Sequence, residues 1–110
     1  MRFRVSITEQ AEQDIQQAFN WWAHHRSKVQ ADRWYVGATK AIAELADNLE
    51  KHGQSRESPS FPYVIRDLLL GIGRRPTHRA VFTIRGEEVV VLTVRHVARH
   101  DLSLDDIATG

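Results

Sequence analysis

The main change in the period of this chain's apolar residues, near Gly53, sets the order of its elements. From Ala11 to Leu49 they recur at helical spacing, whereas beyond Gly53 they gather into short β-branched runs punctuated by glycine and proline. A 3.6-residue period predicts helices with one apolar stripe, and the later runs predict strands. A two-residue period comes before both. Phe3, Val5 and Ile7 alternate with Arg2, Arg4 and Ser6, the pattern of a short half-buried strand. Thr8 then offers an N-cap, and Glu9, Glu12 and Asp14 complement the positive end of the helix that follows. Ala11, Ile15, Ala18, Phe19 and Trp22 share one face of that helix, while glutamines and Asn20 fill the other.

The stretch His24-His25-Arg26-Ser27-Lys28 has no apolar anchor and reads as a tight turn. A second helix is predicted through Trp34, Ala38, Ala41, Ile42, Leu45 and Leu49, with Gly53 as its stop. Two helices so closely joined form an antiparallel hairpin. Residues Gln54 to Pro62 read as a loop, and Val64 to Leu70 as an apolar block broken by Gly71, Gly73 and Pro76. Arg79 to Ile84 and Val89 to Val94 flank the turn Arg85-Gly86-Glu87-Glu88, a strong hairpin signal. Val89-Val90-Val91-Leu92 does not alternate, so that strand is expected at the centre of a sheet, covered on both faces. Ser103-x-x-Asp106 opens a short last helix with a capping-box pattern.

The order is βααβββ. The helical hairpin must bury its stripe, and the following sheet is the surface on offer. The expected fold is therefore a two-layer α+β domain spanning residues 1–110, with a helical hairpin packed on a small, mostly antiparallel sheet and a short C-terminal helix. The first strand can join the later ones only if the hairpin crosses the sheet face. The chain has 110 residues, 42% of them hydrophobic and 26% charged, which suits one folded core and argues against disorder. It has no cysteine, which removes disulfides, thiolate zinc ligands and thiol nucleophiles together. MRFRVSITEQ lacks the apolar stretch of a signal peptide, and no run approaches the about 20 apolar residues that span a bilayer, so a soluble cytoplasmic protein is expected.

Net charge is only +1, but its distribution is uneven. Residues 1–60 balance eight Lys/Arg against eight Asp/Glu, whereas residues 61–100 carry seven arginines against three acids. Arginine suits bidentate contact with carboxylate or phosphate, so an acidic peptide and a nucleic acid are both open as partners. A solvated sheet face accounts for the same charge.

Several segments together resemble the RelE/ParE toxin superfamily of type II toxin–antitoxin systems. Arg4 to Ile15 is similar to its opening strand and "T-x-x-A-x-x-D-I/L" helix start, and Trp34 to Leu49 to its second helix. Ile65-Arg66-Asp67-Leu68 resembles its "R-x-L", and His78 to Ile84 its "Y-R-V-x-Y-x-I". Val91 to Leu102 resembles its closing "V-L-x-V-x-H-x-x-R-D-L". The resemblance covers nearly the whole chain, although each segment alone is mostly a secondary-structure pattern. It implies a cognate antitoxin whose acidic C-terminal segment wraps the toxin into a hetero-oligomer, with the long loop before Phe61 leaving a groove between helices and sheet. It implies no cofactor.

The superfamily divides by activity. RelE-like members cleave messenger RNA on the ribosome, and ParE-like members act on DNA gyrase. Metal-free RNA cleavage needs a base, a cation for the phosphorane and an acid. By the resemblance, Arg79 matches the first sheet arginine of the nucleases and Arg99 the second, but no lysine lies beyond Lys51 and no tyrosine beyond Tyr63. His96 or His100 can stand in as acid or base. The ending His96-x-x-Arg99 reads as ParE-like. Arg66, Arg79, Arg95 and Arg99 are thus expected first as a surface for target or antitoxin, and Arg79, Arg99 and His96 as catalytic only in a nuclease. Arg79 is equally a structural partner for Asp67 or Glu88, and His96 a core histidine. Trp21 falls off the buried stripe and marks an exposed contact patch. His96 and His100, without a third ligand, do not make a metal site. A third reading is a non-toxic domain that only binds an antitoxin.

Overall fold

A computed structural model of the chain describes residues 2–47, 49–99 and 102–107. Its strands are β1 (Arg4–Ile7), β2 (Arg66–Ile72), β3 (Arg75–Arg85) and β4 (Glu88–His96), and its helices are α1 (Glu9–His25) and α2 (Lys28–Ala43). The element order is the expected βααβββ. The sheet runs β1-β4-β3-β2, with β1 parallel to β4 and the other two pairings antiparallel. The helical hairpin carries the chain across the sheet so that Arg4 pairs with Glu88 and Ile7 with Val91.

Local chemistry sets the helix starts. Thr8 is extended, and its hydroxyl accepts from the Ala11 N–H at 3.1 Å. Ser27 does the same for α2, accepting from the Gln30 N–H at 3.1 Å. Ser27 also corrects the expected turn. The helix α1 continues through His25, and because a capped helix can begin at once, only Arg26 and Ser27 lie between the two helices.

The second helix is shorter than expected. It ends at Ala43, and residues Glu44–Ala46 and Leu49–Lys51 form single 3-10 turns. Leu45 and Leu49 are buried all the same. The bend has a tertiary cause, because the Ala46 carbonyl accepts from the Phe3 N–H at 3.0 Å, just ahead of β1. Gly53 is therefore not the helix stop. It lies on the edge of β2, where Gln54 bridges to Arg66.

β3 begins at Arg75, earlier than its apolar run suggests, and takes in Pro76 opposite Gly71. The register slips between Leu70 and Gly71, a bulge that admits proline. A Cβ on Gly71 would stand 2.5 Å from the Arg75 carbonyl oxygen, so only glycine allows this close approach. At the other hairpin Gly86 has φ +62°, the left-handed conformation that the turn requires.

β4 is central and buried on both faces, as expected. On one face α1 and α2 bury Ile15, Trp22, Trp34 and Ile42 against Phe82, Val89 and Val91. On the other, Val81, Val90 and Leu92 lie under Phe61 and Ile65 from the long loop and Leu102 and Ile107 from the C-terminal segment. That second cover overturns one expectation. The loop opens no groove between helices and sheet, because its aromatic and aliphatic residues pack on the opposite sheet face. The last helix is one 3-10 turn, Leu104–Asp106, closed by a Ser103–Asp106 capping box. Among the described residues no helix is long and apolar enough to cross a membrane.

Candidate functional site

Where β3 and β4 run out of their hairpin, two cross-strand pairs stand side by side, His78 with His96 and Arg79 with Arg95. Alternation along a strand sends consecutive side chains to opposite faces. The histidines accordingly meet the helices, and the arginines meet the loop and the C-terminal segment.

Arg79 is buried and fully engaged. Its Nη1 and Nη2 each lie 2.8 Å from a carboxylate oxygen of Glu57, and Nη1 is 3.2 Å from Asp67 Oδ1. Glu57 also accepts from the Leu102 N–H at 2.6 Å. Burial opposes the charge on Glu57, but the bonds from Arg79 and Leu102 outweigh it and hold its carboxyl below the usual range. Burial likewise opposes the charge on Arg79, and Glu57 and Asp67 reverse the effect. For Asp67 burial prevails and raises its carboxyl. Of the two carboxylates that the sequence suggested for Arg79, Asp67 is the one that pairs. Glu57 gave no signal, being one acid in a polar loop 22 positions earlier.

Arg66 is half-buried at the start of β2 and donates to the His52 carbonyl at 2.9 Å. Arg95 is buried, with Nη1 4.0 Å from Asp106 Oδ2. Burial, then the charge of Arg99, lowers its guanidinium from the ordinary value. Arg99 is exposed, and its N–H donates to the His96 carbonyl at 3.0 Å, which turns the chain at the end of β4.

His96 accepts from the Ala98 N–H at Nδ1, 3.1 Å away. A backbone N–H can only donate, so the neutral ring carries its proton on Nε2. His78 is buried 5.2 Å from the His96 ring, its Nδ1 2.8 Å from the Thr77 hydroxyl. Burial, then His96, pushes the His78 imidazole down to about 4, so it stays uncharged at neutral pH. His78 carries no special signal in the sequence, because it precedes an arginine on an apolar strand.

Trp21 is not the freely exposed residue its place off the helical stripe suggests. It is half-buried, stacked on His25 with ring centroids 4.9 Å apart, and meets His96 and His78 edge to face with centroids 5.7 Å and 5.9 Å away. Trp22 and Trp34 are buried on the stripe, as expected. Asp14 pins α1 to β4, accepting from the Thr93 hydroxyl at 2.5 Å and the Val94 N–H at 3.0 Å. Between these elements lies a cavity of about 390 Å³. Asp14 and Trp21 line it from α1, Arg95, His96 and Arg99 from the end of β4, and Asp106 from the C-terminal turn.

The cavity thus gathers Trp21, Arg95, His96 and Arg99, while Arg79, although paired across the strands with Arg95, turns to Glu57 and Asp67, and Arg66 turns to His52. Of Arg79, Arg99 and His96, the last two line the cavity and Arg79 does not. Among the described residues no three His, Cys, Asp or Glu side chains are placed to hold a metal, and His100 lies outside the described residues.

The chain has known relatives in fold and family. In a solved structure titled "Chromosomal ParDE TA system from P. aeruginosa", one chain is similar at 20% identity, with a TM-score of 0.69 over 87% of this chain and 97% of that one. Among curated proteins none matches. The family model for the ParE toxin of type II toxin-antitoxin system, parDE, matches residues 5–100. With that match spanning nearly all of its length, the chain belongs to the ParE toxin family of type II toxin–antitoxin systems.

Proposed function

We propose that this chain arrests growth in the cytoplasm by binding DNA gyrase, works by recognition rather than RNA cleavage, and is neutralised by a cognate antitoxin with an acidic segment. The observation that carries this reading is the state of Arg79. A cation that stabilises a phosphorane must face the scissile phosphate, and Arg79 faces Glu57 and Asp67 instead. His96 presents an N–H rather than a free lone pair on its outer nitrogen, which does not suit it to act as general base. The similar chain belongs to a ParDE system, which supports a partner encoded beside this one, and an acidic partner matches the arginine excess of residues 61–100.

Controlled expression of the chain in bacteria tests the reading. Replication arrest with a DNA-damage response, intact bulk messenger RNA and rescue by the neighbouring gene product is the expected result. Rapid ribosome-dependent cleavage of messages would replace it with a nuclease acting through Arg99 and His96. Normal growth would leave only a domain that binds an antitoxin.

A further inference from the structure

Arg79 and Arg95 are cross-strand neighbours with opposite circumstances. Arg79 has two carboxylates within 3.2 Å. The Arg95 side chain is just as buried, 7% exposed, yet its Nε–H meets no acceptor among the described residues. The carboxylate facing it, Asp106, stands 4.0 Å away, beyond hydrogen-bond reach. A buried charged donor left unmade is costly, and the side chain that carries it helps line a cavity of about 390 Å³ with a second arginine, Arg99, at the wall.

We infer that this cavity is a socket for one carboxylate side chain of a partner peptide, with Arg95 as the buried anchor and Arg99 as the second cation. The inference rests on the reading of the chain as a toxin held by an acidic antitoxin, and it names the point of attachment.

Charge balance disfavours a dianion. The two arginines face two acids, Asp14 and Asp106, so the cavity is formally neutral before any ligand enters. A phosphomonoester dianion would bring a second negative charge up to both acids, whereas a nucleic-acid phosphodiester, like a carboxylate, brings one, so depth and not charge separates those two. A carboxylate makes the bonds to Arg95 that Asp106 does not. Asp14 is already occupied by Thr93 and Val94. Asp106 is held by the Ser103 N–H at 2.9 Å and hydroxyl at 3.3 Å, and it cannot reach Arg95 without opening its own turn. Depth points the same way. A buried guanidinium is reached by a side chain on a slender stalk, whereas a duplex phosphate is flanked by its own backbone. The Nε2–H of His96 adds a donor to the wall, and Trp21 offers an apolar surface to the methylenes of an aspartate or glutamate.

The Arg95 Nε–H resonance of the full chain reads the socket directly by NMR. Sodium acetate should shift it along a saturable curve, and sodium chloride at equal ionic strength should not. Asp106→Asn should tighten acetate binding several-fold, and Arg99→Ala should weaken it. No saturable shift, or a curve tighter for inorganic phosphate than for acetate, overturns the carboxylate socket, the second outcome pointing to a nucleic acid. With the antitoxin encoded beside the gene, Arg95→Lys should weaken the complex about tenfold or more, as loss of a hydrogen bond to a charged group does, while Arg85→Lys should not. Equal binding by Arg95→Lys and the unaltered chain would sink the socket and leave the proposed function standing. Absence of any complex with the unaltered chain would sink both.

Discussion

Arg79 and Glu57 meet end-on, Nη1 to Oε1 and Nη2 to Oε2 both at 2.8 Å, with neither side chain more than 9% exposed. Through this pair the loop before Phe61, the strand β3 and the segment at Leu102 are tied at one point. Replacing Arg79 by methionine leaves Glu57 charged and buried with its strongest partner gone. A loss of about 3–5 kcal/mol is expected, as for other buried pairs broken on one side. Adding Glu57→Gln should restore part of that loss, so urea unfolding of both single variants and the double variant should give a large coupling energy. Were Arg79 present only to meet a target, Arg79→Met would unfold like the unaltered chain.

Acid should loosen the fold through His78. Its imidazole sits at about 4, below the ordinary 6.5, because burial and then His96 disfavour the charged form. As pH falls through 6.5 the unfolded chain takes up a proton that the folded chain refuses until about 4. Stability is therefore complete above 6.5 and declines towards 4, by up to about 1.4 kcal/mol per pH unit for one proton. His52 is lowered too, by burial and then Lys51, and adds to the decline. His78→Gln should lose less stability between pH 7 and pH 5 than the unaltered chain in urea titrations. Equal losses would remove His78 from the account.

Gly71→Ala should strain the β2–β3 hairpin, since the new Cβ would lie 2.5 Å from the Arg75 carbonyl oxygen and 2.8 Å from the Pro76 Cα. Both are backbone atoms and cannot swing aside. A loss of about 1–3 kcal/mol is expected, in the range of overpacked sites, and Gly53→Ala, where a Cβ meets nothing within 4 Å, is its control. Thermal melts of the two variants compare them. Matching melting temperatures would show that the bulge relaxes without cost.

Much of the fold was legible because it is written locally. Thr8 caps the helix that its neighbours predict, Gly86 sits where a tight turn needs a left-handed residue, and the unbroken run Val89 to Leu92 lies in a strand covered twice. What escaped depends on tertiary contact. Leu45 and Leu49 continue the spacing of α2, so nothing in the pattern warns that Phe3 draws the chain away at Ala46. Phe61 stands in a stretch with loop composition, and only the sheet face beneath it makes it core. At the site, Arg95 and Arg99 could be named from charge alone. Their differing fates could not, because burial of one and exposure of the other follow from where Asp106 and the C-terminal turn come to rest.

The pairing of β1 with β4 has a consequence for how the protein is made. The Thr8 hydroxyl donates to the Leu92 carbonyl across 84 positions of chain, and Ile7 lies beside Val91. A ribosome has therefore to deliver the chain through β4 before its first strand finds a strand to pair with, and closing so long a span is slow as well as late. A message cut short ahead of Glu88 yields a chain whose beginning has nowhere to go. Any activity that needs the finished sheet is withheld until β4 has been made.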